Sequence, residues 1–288
     1  MQQKKGRRAL SNWSSWRILW VLGLFVAVAT AGMIVSQQLL LDNARTMGKN
    51  LVTSYSNDED NQFNTYDRIL TLAMYYMEDM VNDGVDTTEF ENWLADFFEK
   101  SADLLNTRSL DIYAVLDGQV ISAGETHGWD YDYQSQSWYR QAMEAEGKVI
   151  FTDAYASDSY GGEMVVTIAV SAAGSDNAVA LDVPLDRFRD DHTVQELPVG
   201  GAYYVLDRRG TLLYYSVPFE ATEEELQEYT MDLFERVNRG ELDGKDNEII
   251  GMQKLTRGLY YQHAENGWLC ILTVPYETLL QGVQSILV

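Results

Sequence analysis

The chain has 288 residues, 46% of them hydrophobic, and its 44 acidic and 21 basic residues give a net charge of −23. So acidic a surface repels phosphate backbones, which argues against nucleic-acid binding. Cys270 is the only cysteine, so no internal disulfide can form and packing must stabilise the fold.

A basic N-terminus precedes a long uncharged segment. Residues 1–17 hold five cations and no acid, and residues 18–41 carry no charge and are mainly aliphatic. As a helix, this segment would rise about 36 Å, which is enough to cross a bilayer core of about 30 Å. The cations predict a cytoplasmic N-terminus and a cell-membrane protein whose bulk is extracytoplasmic. A signal peptide cleaved near Ala29-Thr30-Ala31 is the alternative, but apolar residues continue past that site and favour an uncleaved anchor.

The residues after this segment predict one long helix. Its apolar side chains recur in steps of three and four, the spacing of a helix that packs on a partner, at Phe63, Tyr66, Leu70, Ala73, Met77 and Met80. This seam favours a homodimer formed through the helix. The polar stretch Ser56–Asn61 interrupts the apolar stripe and is where the helix would break locally. A second amphipathic helix is expected over Thr88–Leu105.

Two short motifs recur at one spacing and predict two tandem modules. Val115-Leu116-Asp117 returns 90 positions later as Val205-Leu206-Asp207, and Val183-Pro184-Leu185-Asp186 returns loosely 91 positions later as Val274-Pro275-Tyr276-Glu277. Two matches with one period indicate repeated modules, and coincidence among common strand residues is the alternative. Each copy is expected to hold a hairpin, a helical connection, further antiparallel strands and a closing Val-Pro turn. The turn Asp207–Gly210 of the second copy is expected to be solvated.

Several elements of these copies are typical of one family. They are Trp138-Tyr139-Arg140-Gln141-Ala142, the run Phe151–Tyr155, the strand pair Met164–Ala169 and Ala178–Asp182, and the turn Gly267-Trp268. On these residues the chain resembles the double Cache extracytoplasmic sensors, which carry two PAS-like modules on a long helix between membrane segments. The resemblance implies a small ligand in the membrane-distal module. It also implies a cytoplasmic output domain that is not in this chain, such as a histidine kinase, a diguanylate cyclase or a chemoreceptor signalling region.

The expected fold class is therefore α+β, with a long N-terminal helix and two tandem PAS-like antiparallel-sheet modules, preceded by a transmembrane helix. In chain order, the predicted regions are a cytoplasmic tail (1–17), a transmembrane helix (18–41), a membrane-rising helix (42–82), a membrane-distal ligand-binding module (83–190), a membrane-proximal module (191–275) and a closing helix that leads to a second transmembrane segment (276–288). This region is expected to be a sensor and not an enzyme.

Polar aromatic residues and acids concentrate in the distal module and predict a site for a small polar or amine-bearing ligand. The predicted ligand-binding residues are Tyr133, Gln136, Trp138, Tyr139, Tyr155, Asp158, Thr167 and Asp182, with Trp129, Tyr131 and Tyr160 in the same cluster. The alternative is that these rings fill the core of the module.

Strand alternation singles out Asp182 within this cluster. It places Ala178, Ala180 and Asp182 on one face of their strand, and Thr167 on the corresponding face of the neighbouring strand. Burying a carboxylate without a partner is costly, so Asp182 is expected to receive either a ligand amine or an internal partner such as Arg140.

One position departs from the family pattern. Double Cache sensors for amino acids resemble one another in an arginine two positions before Trp-Tyr, which clamps the ligand carboxylate. That position is Gln136 here, and glutamine offers no bidentate cationic fork. The resemblance therefore implies recognition of an amine without the usual carboxylate clamp, and leaves open a small neutral molecule or a degenerate site.

No recognised catalytic or cofactor pattern accompanies the cluster. His127, His192 and His263 are widely separated and lack metal-ligand spacing, and no glycine-rich phosphate loop or nucleophile elbow is found. We therefore expect no cofactor and an extracytoplasmic small-molecule sensor domain of a transmembrane receptor. The alternatives are a surface module that recognises a partner or solute-binding protein, and an anchored hydrolase that uses carboxylates.

Overall fold

A computed structural model describes residues 5–105, 111–123, 131–186, 197–243 and 247–278. The helices with described bounds are α1 (Lys5–Asn82), α2 (Thr87–Leu105), α3 (Ser137–Glu144) and α4 (Glu223–Asn238). The strands are β1 (Asp111–Leu116), β2 (Gln119–Ser122), β3 (Ile150–Phe151), β4 (Tyr155–Ser157), β5 (Glu163–Ser171), β6 (Ala178–Pro184), β7 (Ala202–Leu206), β8 (Leu212–Ser216), β9 (Glu248–Ile250), β10 (Thr256–His263) and β11 (Leu269–Pro275). The chain divides into two compact units, one of residues 1–47 with 277–288 and one of Gly48–Tyr276, and the second unit holds all the strands among the described residues.

The strands form two antiparallel sheets with the same order of equivalent strands. The first sheet runs β2-β1-β6-β5-β3, with β4 also paired to β5, and the second runs β8-β7-β11-β10-β9. The repeated motifs end equivalent strands, because Val115-Leu116 closes β1 as Val205-Leu206 closes β7, and Val183-Pro184 closes β6 as Val274-Pro275 closes β11. The prediction of two tandem antiparallel-sheet modules is confirmed.

A two-residue turn joins β1 to β2, as the sequence predicts. Asp117 and Gly118 both adopt positive φ angles, 49° and 79°. Two successive positive φ values define the type I′ turn, whose twist matches that of the flanking antiparallel strands. Glycine takes this conformation without a steric penalty, so the Asp-Gly pair places the hairpin at this point in the chain.

Helix α1 is continuous across the polar stretch Ser56–Asn61, so no break occurs there. Two of these polar residues instead accept hydrogen bonds from the second module. The Tyr203 hydroxyl donates to Glu59 Oε1 at 3.1 Å, and the backbone N–H of Glu265 donates to Asp60 Oδ1 at 2.7 Å. One oxygen of each carboxylate thus has a hydrogen-bond partner in the second module, and the helix continues through the stretch.

The apolar seam of α1 is buried within the chain. Phe63, Tyr66, Leu70, Ala73 and Met77 are all buried. Phe63 packs edge-to-face on Trp268, with ring centroids 4.8 Å apart, and on Phe151 at 5.4 Å. The seam thus contacts residues of both modules, and its use as evidence for a homodimer was wrong. Homodimerisation stays a prediction without support from these residues.

Helix α4 covers one face of the second sheet. Leu226, Leu233 and Val237 pack with Tyr204 and Ile271 in a single apolar cluster. The helix begins with a capping box, in which Thr222 Oγ1 accepts from the Glu225 backbone N–H while the Glu225 carboxylate accepts from the Thr222 backbone N–H. Two backbone donors that a helix start leaves without partners are satisfied in this way.

Gly48 marks a close approach of α1 to β10. A Cβ atom at this position would lie 2.2 Å from two carbons of the buried Tyr260 ring, whereas one at Gly32 would meet nothing within 4 Å. Alanine is normally a better helix former than glycine by about 1 kcal/mol. At Gly48 the clash reverses this preference, because overpacking a close contact costs about 1–3 kcal/mol. Gly48→Ala should therefore lower the melting temperature of the full chain in detergent, measured by circular dichroism, whereas Gly32→Ala should not. Equal behaviour of the two variants would contradict this docking of α1.

The N-terminal part of α1 has the properties of a membrane span. Among the described residues, α1 is the one helix that is long and apolar enough to cross a bilayer. Its apolar side chains in this part, Trp20 and Phe25 among them, are exposed. Exposed aliphatic and aromatic side chains over such a length suit a lipid environment. The residues predicted to begin a second span, 279–288, lie outside the described residues.

Candidate functional site

One face of the first sheet combines small side chains with a carboxylate and hydroxyls. Asp182 lies opposite Thr167 on β5 and opposite Asp111 on β1, and Ala180 lies opposite Ala169 and Tyr113. The alternation predicted for these strands is confirmed by this register. The alanine side chains leave room above the sheet, and the aromatic residues described below occupy it.

A chain of hydroxyl groups converges on the Asp182 carboxylate, which is 0% exposed. Thr167 Oγ1 donates to Asp182 Oδ1 at 2.6 Å, and the Tyr113 hydroxyl donates to the same oxygen at 3.2 Å. The Tyr155 hydroxyl lies 2.6 Å from Thr167 Oγ1. Threonine has a single hydroxyl proton, and it is already directed at Asp182, so Tyr155 must be the donor to Thr167.

Helix α3 and the segment before it cover this face with aromatic rings. Trp138, which is fully buried, packs edge-to-face on Tyr113 with ring centroids 5.4 Å apart. Its indole Nε1–H donates to the Tyr131 hydroxyl at 3.1 Å. The helix is tied to the sheet by the Ser171 hydroxyl, which donates to the Ala142 carbonyl oxygen at 2.7 Å. Tyr131 and Tyr155 are partly exposed, so they form the accessible border of an otherwise buried cluster.

The tyrosine hydroxyls of the cluster stay protonated at neutral pH. Burial raises the pKa of Tyr131 to about 12. Burial, followed by the negative charge of Asp182, raises the pKa of Tyr113 and of Tyr155 well above the ordinary tyrosine value. Each ring therefore presents a neutral hydroxyl.

A second acid increases the local negative charge. Asp111, which is also buried, lies directly opposite Asp182 on the neighbouring strand, and Ser122 Oγ donates to its carboxylate at 3.5 Å. Side chains that lie opposite each other in antiparallel strands are close neighbours, and two like charges in that arrangement repel each other. A cation placed beside the pair would relieve this repulsion.

The structure brings together four of the eight residues that the sequence predicts for ligand binding, namely Trp138, Tyr155, Thr167 and Asp182. Tyr133 and Tyr139 join the same apolar cluster, but their hydroxyls have other partners. Tyr139 donates to the Asp176 carbonyl oxygen at 2.8 Å, and the Gln134 side chain donates to Tyr133 at 3.3 Å.

The other two predicted residues lie away from the carboxylate. Gln136 precedes α3, and its side-chain amide donates to the Asp132 carbonyl oxygen at 3.3 Å. Asp158 is exposed at the start of a short 3₁₀ helix. Arg140 is also exposed and forms no ion pair with Asp182, so it is not the internal partner that the sequence allowed. Trp129 lies outside the described residues.

Sequence reasoning missed Tyr113 and Asp111. Both lie on β1, where the buried residues run continuously and mask the face that each side chain joins. The repeated motif was the signal that could have identified Tyr113. Tyr113 lies two positions before Val115 of that motif, so both side chains lie on the same face of β1. Only the pairing of β1 with β6 reveals that this face is the one that carries Asp182. Within the described residues, no group of three or more His, Cys, Asp or Glu side chains is arranged to hold a metal ion.

Two kinds of sequence comparison show that the first module is similar to part of known chemoreceptors. Residues 74–183 match the family model described as methyl-accepting chemotaxis protein-like, first PDC sensor domain. The chain is 34% identical over 74 residues to the methyl-accepting chemotaxis protein McpB of Bacillus subtilis, a match that covers 26% of this chain and 11% of that protein. It is 32% identical over 96 residues to TlpA of the same organism, which covers 33% of this chain and 14% of that protein. These matches span only a small part of the length of both relatives.

The fold matches sensor domains over most of the chain. The sensory domain of the Campylobacter jejuni chemoreceptor Tlp3 with isoleucine bound superposes with a TM-score of 0.60 and 14% identity, covering 84% of this chain and 96% of that one. The extracellular domain of the predicted histidine kinase mmHK1S-Z3 superposes with a TM-score of 0.61 and 17% identity, covering 86% and 98%. The expected double Cache sensor fold is confirmed. Residues 74–183 are therefore similar to the first PDC sensor domain of methyl-accepting chemotaxis protein-like receptors, and they lie within a two-module Cache-like fold.

Proposed function

We propose that this chain is the extracytoplasmic sensor region of a transmembrane receptor, and that its first module binds a small molecule through a protonated amine. The carrying observation is the hydroxyl chain that runs from Tyr155 through Thr167 to Asp182. Both hydroxyl protons in this chain are directed toward the carboxylate, so the outer oxygen, that of Tyr155, can act as an acceptor for a ligand. Acceptors grouped around a buried negative charge favour a donor that is itself positively charged.

The aromatic rings support the same ligand class. Tyr113 donates to Asp182, and Tyr131 and Trp138 pack edge-to-face on Tyr113, with ring centroids 6.1 and 5.4 Å away. A cation is attracted to the faces of such rings as well as to the carboxylate. An ammonium group bonded to a short apolar body would therefore satisfy both the charge and the rings.

There is less evidence in this chain for a group that binds the carboxylate of an amino-acid ligand. Gln136 holds the position of the arginine that the family resemblance implies, and its side chain is directed at the Asp132 carbonyl oxygen. Tlp3 of C. jejuni has been solved with isoleucine and with L-valine. By analogy, an aliphatic amine fits this site, and we propose that the ligand carboxylate contributes little to its affinity here.

The receptor context is part of the same proposal. The N-terminal part of α1 would anchor the chain in the cell membrane, with the two modules outside and an output domain that lies beyond this chain. A ligand can shift such a receptor only by binding one conformation better than another. A homodimer is the expected assembly, and sedimentation of the full chain in detergent tests it, since a single monomeric species would contradict it.

A matched set of three ligands tests the proposal. L-isoleucine, 2-methylbutylamine and 3-methylpentanoic acid share one aliphatic body, but the second lacks the carboxylate and the third lacks the amine. We expect both amines, and not the acid, to raise the melting temperature of the purified full chain in a saturable manner. If neither amine stabilises a well-folded sample, an amine sensor is ruled out and, where the acid is inactive too, a module that recognises a protein partner is favoured instead. If the acid alone stabilises it, the site recognises a carboxylate and not an amine.

A further inference from the structure

The turn between β7 and β8 of the second module is bound to the first module, and its Arg208 and Arg209 side chains are exposed as the sequence suggested. Asp207 is 0% exposed. Its Oδ1 atom accepts from the backbone N–H groups of Arg209 and Thr211, both at 2.8 Å, which shapes the turn. Its Oδ2 atom accepts from the backbone N–H of Ala154 at 3.1 Å, in the first module. One buried carboxylate therefore serves both modules.

Two arginines of the turn bind the same segment of the first module. Arg208 Nε donates to Asp153 Oδ1 at 2.8 Å, and its Nη2 donates to the Phe151 carbonyl oxygen at 2.7 Å. Arg209 Nη2 donates to the Ala154 carbonyl oxygen, and its Nε lies 3.6 Å from Asp153 Oδ2. Together with Asp207, these contacts engage Phe151, Asp153 and Ala154. Several charge-assisted hydrogen bonds therefore hold this segment, and together they restrain it more than one exposed ion pair would.

The bound segment leads directly into the candidate ligand cluster. It links β3 to β4, and Tyr155 is the residue that follows Ala154. Thr152 exchanges two hydrogen bonds with Thr167, since its backbone N–H donates to the Thr167 carbonyl oxygen and its Oγ1 accepts from the Thr167 N–H, both at 2.9 Å. Thr167 is also the hydroxyl that joins Tyr155 to Asp182. The segment therefore contacts the second module on one side and the Asp182 network on the other.

We propose that the turn Asp207–Gly210 couples the second module to the ligand cluster, with Asp207 and Arg208 as positioning residues for Tyr155. A ligand that moves the Tyr155 hydroxyl relative to Thr167 also displaces Asp153 and Ala154. These two residues precede Tyr155 and are hydrogen-bonded to the turn. The turn connects β7 to β8, and β7 carries Tyr203, which donates to Glu59 of α1. Occupancy of the cluster is thus transmitted to the long helix through the second module. This inference rests on the proposed ligand site, but the coupling can be measured without any ligand.

Hydrogen–deuterium exchange of the full chain in detergent tests the coupling. Thr167→Val removes the hydroxyl between Tyr155 and Asp182 and keeps the side-chain volume. It should speed exchange of the Arg209 and Thr211 amides by about threefold or more, the size of effect that a coupling between residues of one network produces. In an Arg208→Ala background, the same substitution should have no further effect on these amides. If the turn had only a structural role, the effects of Thr167→Val and Arg208→Ala on the exchange rates of these amides would simply add.

The matched control is Arg239→Ala, which removes an exposed arginine whose partners, Glu235 and Glu241, lie within the second module. It should leave the effect of Thr167→Val unchanged. Tyr155→Phe repeats the test if Thr167→Val does not fold. If either distal variant alters exchange in residues 150–157 and leaves the turn as in the wild type, the coupling is refuted. Because no ligand is added, a failed amine screen does not affect this result.

Discussion

Asp182→Asn is expected to weaken amine binding by at least about 30-fold, because removing one charge of a buried charge pair costs about 2–5 kcal/mol. Asparagine keeps the shape of the side chain and an oxygen that can still accept from Thr167 and Tyr113. The substitution therefore removes the charge and leaves the packing of β6 in place. Isothermal titration of the full chain in detergent with 2-methylbutylamine measures the change in the dissociation constant.

Asp158→Asn is the matched control for this prediction. It makes the same chemical change at an exposed position that the sequence assigned to the ligand site. Its dissociation constant should equal that of the wild type within error. Equal losses in both variants would indicate a long-range effect of net charge, and a loss in Asp158→Asn alone would place the site around the short 3₁₀ helix instead.

Trp268→Ala should destabilise the unit Gly48–Tyr276 by about 3–5 kcal/mol, the cost of truncating a large buried aromatic side chain. Trp268 is 2% exposed and lies just before β11. Its ring packs edge-to-face on Phe63 of α1 and on Phe151 of the first module, with centroids 4.8 and 6.2 Å away. One side chain thus joins the long helix to both modules, and the cavity left by its removal affects all three. Urea unfolding of the full chain, followed by circular dichroism, measures the loss.

Trp93→Ala provides the comparison. Trp93 lies on α2, is only half-buried and stacks on Phe97 with ring centroids 5.1 Å apart. Truncating a partly exposed ring removes fewer contacts, so a cost of about 1 kcal/mol is expected. A Trp268→Ala variant no less stable than Trp93→Ala would show that the aromatic group around Phe63 does not hold the modules together.

Local patterns were sufficient for much of the fold. The Asp117-Gly118 pair specifies a turn through the conformations it permits, and the hairpin forms there. Continuous apolar runs became the central strands β5 and β6, because strands covered on both faces lack a polar side. The repeated motifs located equivalent strands of two modules because each motif ends a strand and its spacing is a property of the chain itself.

The sequence alone determined the two-module architecture and predicted an anchor and a role for Asp182, since each depends on hydrophobicity, periodicity or the cost of burying a charge. Which side chains contact one another was decided only by the tertiary structure. Strand pairing brought Tyr113 and Asp111 beside Asp182, and it left Gln136 and Asp158 elsewhere. The contacts of the turn at Asp207 could not be predicted for the same reason. Its polar residues have the sequence of a solvated loop, and only the tertiary structure places the first module against them. Residues distant in sequence are related only by packing, and no local pattern encodes which polar surface will face another.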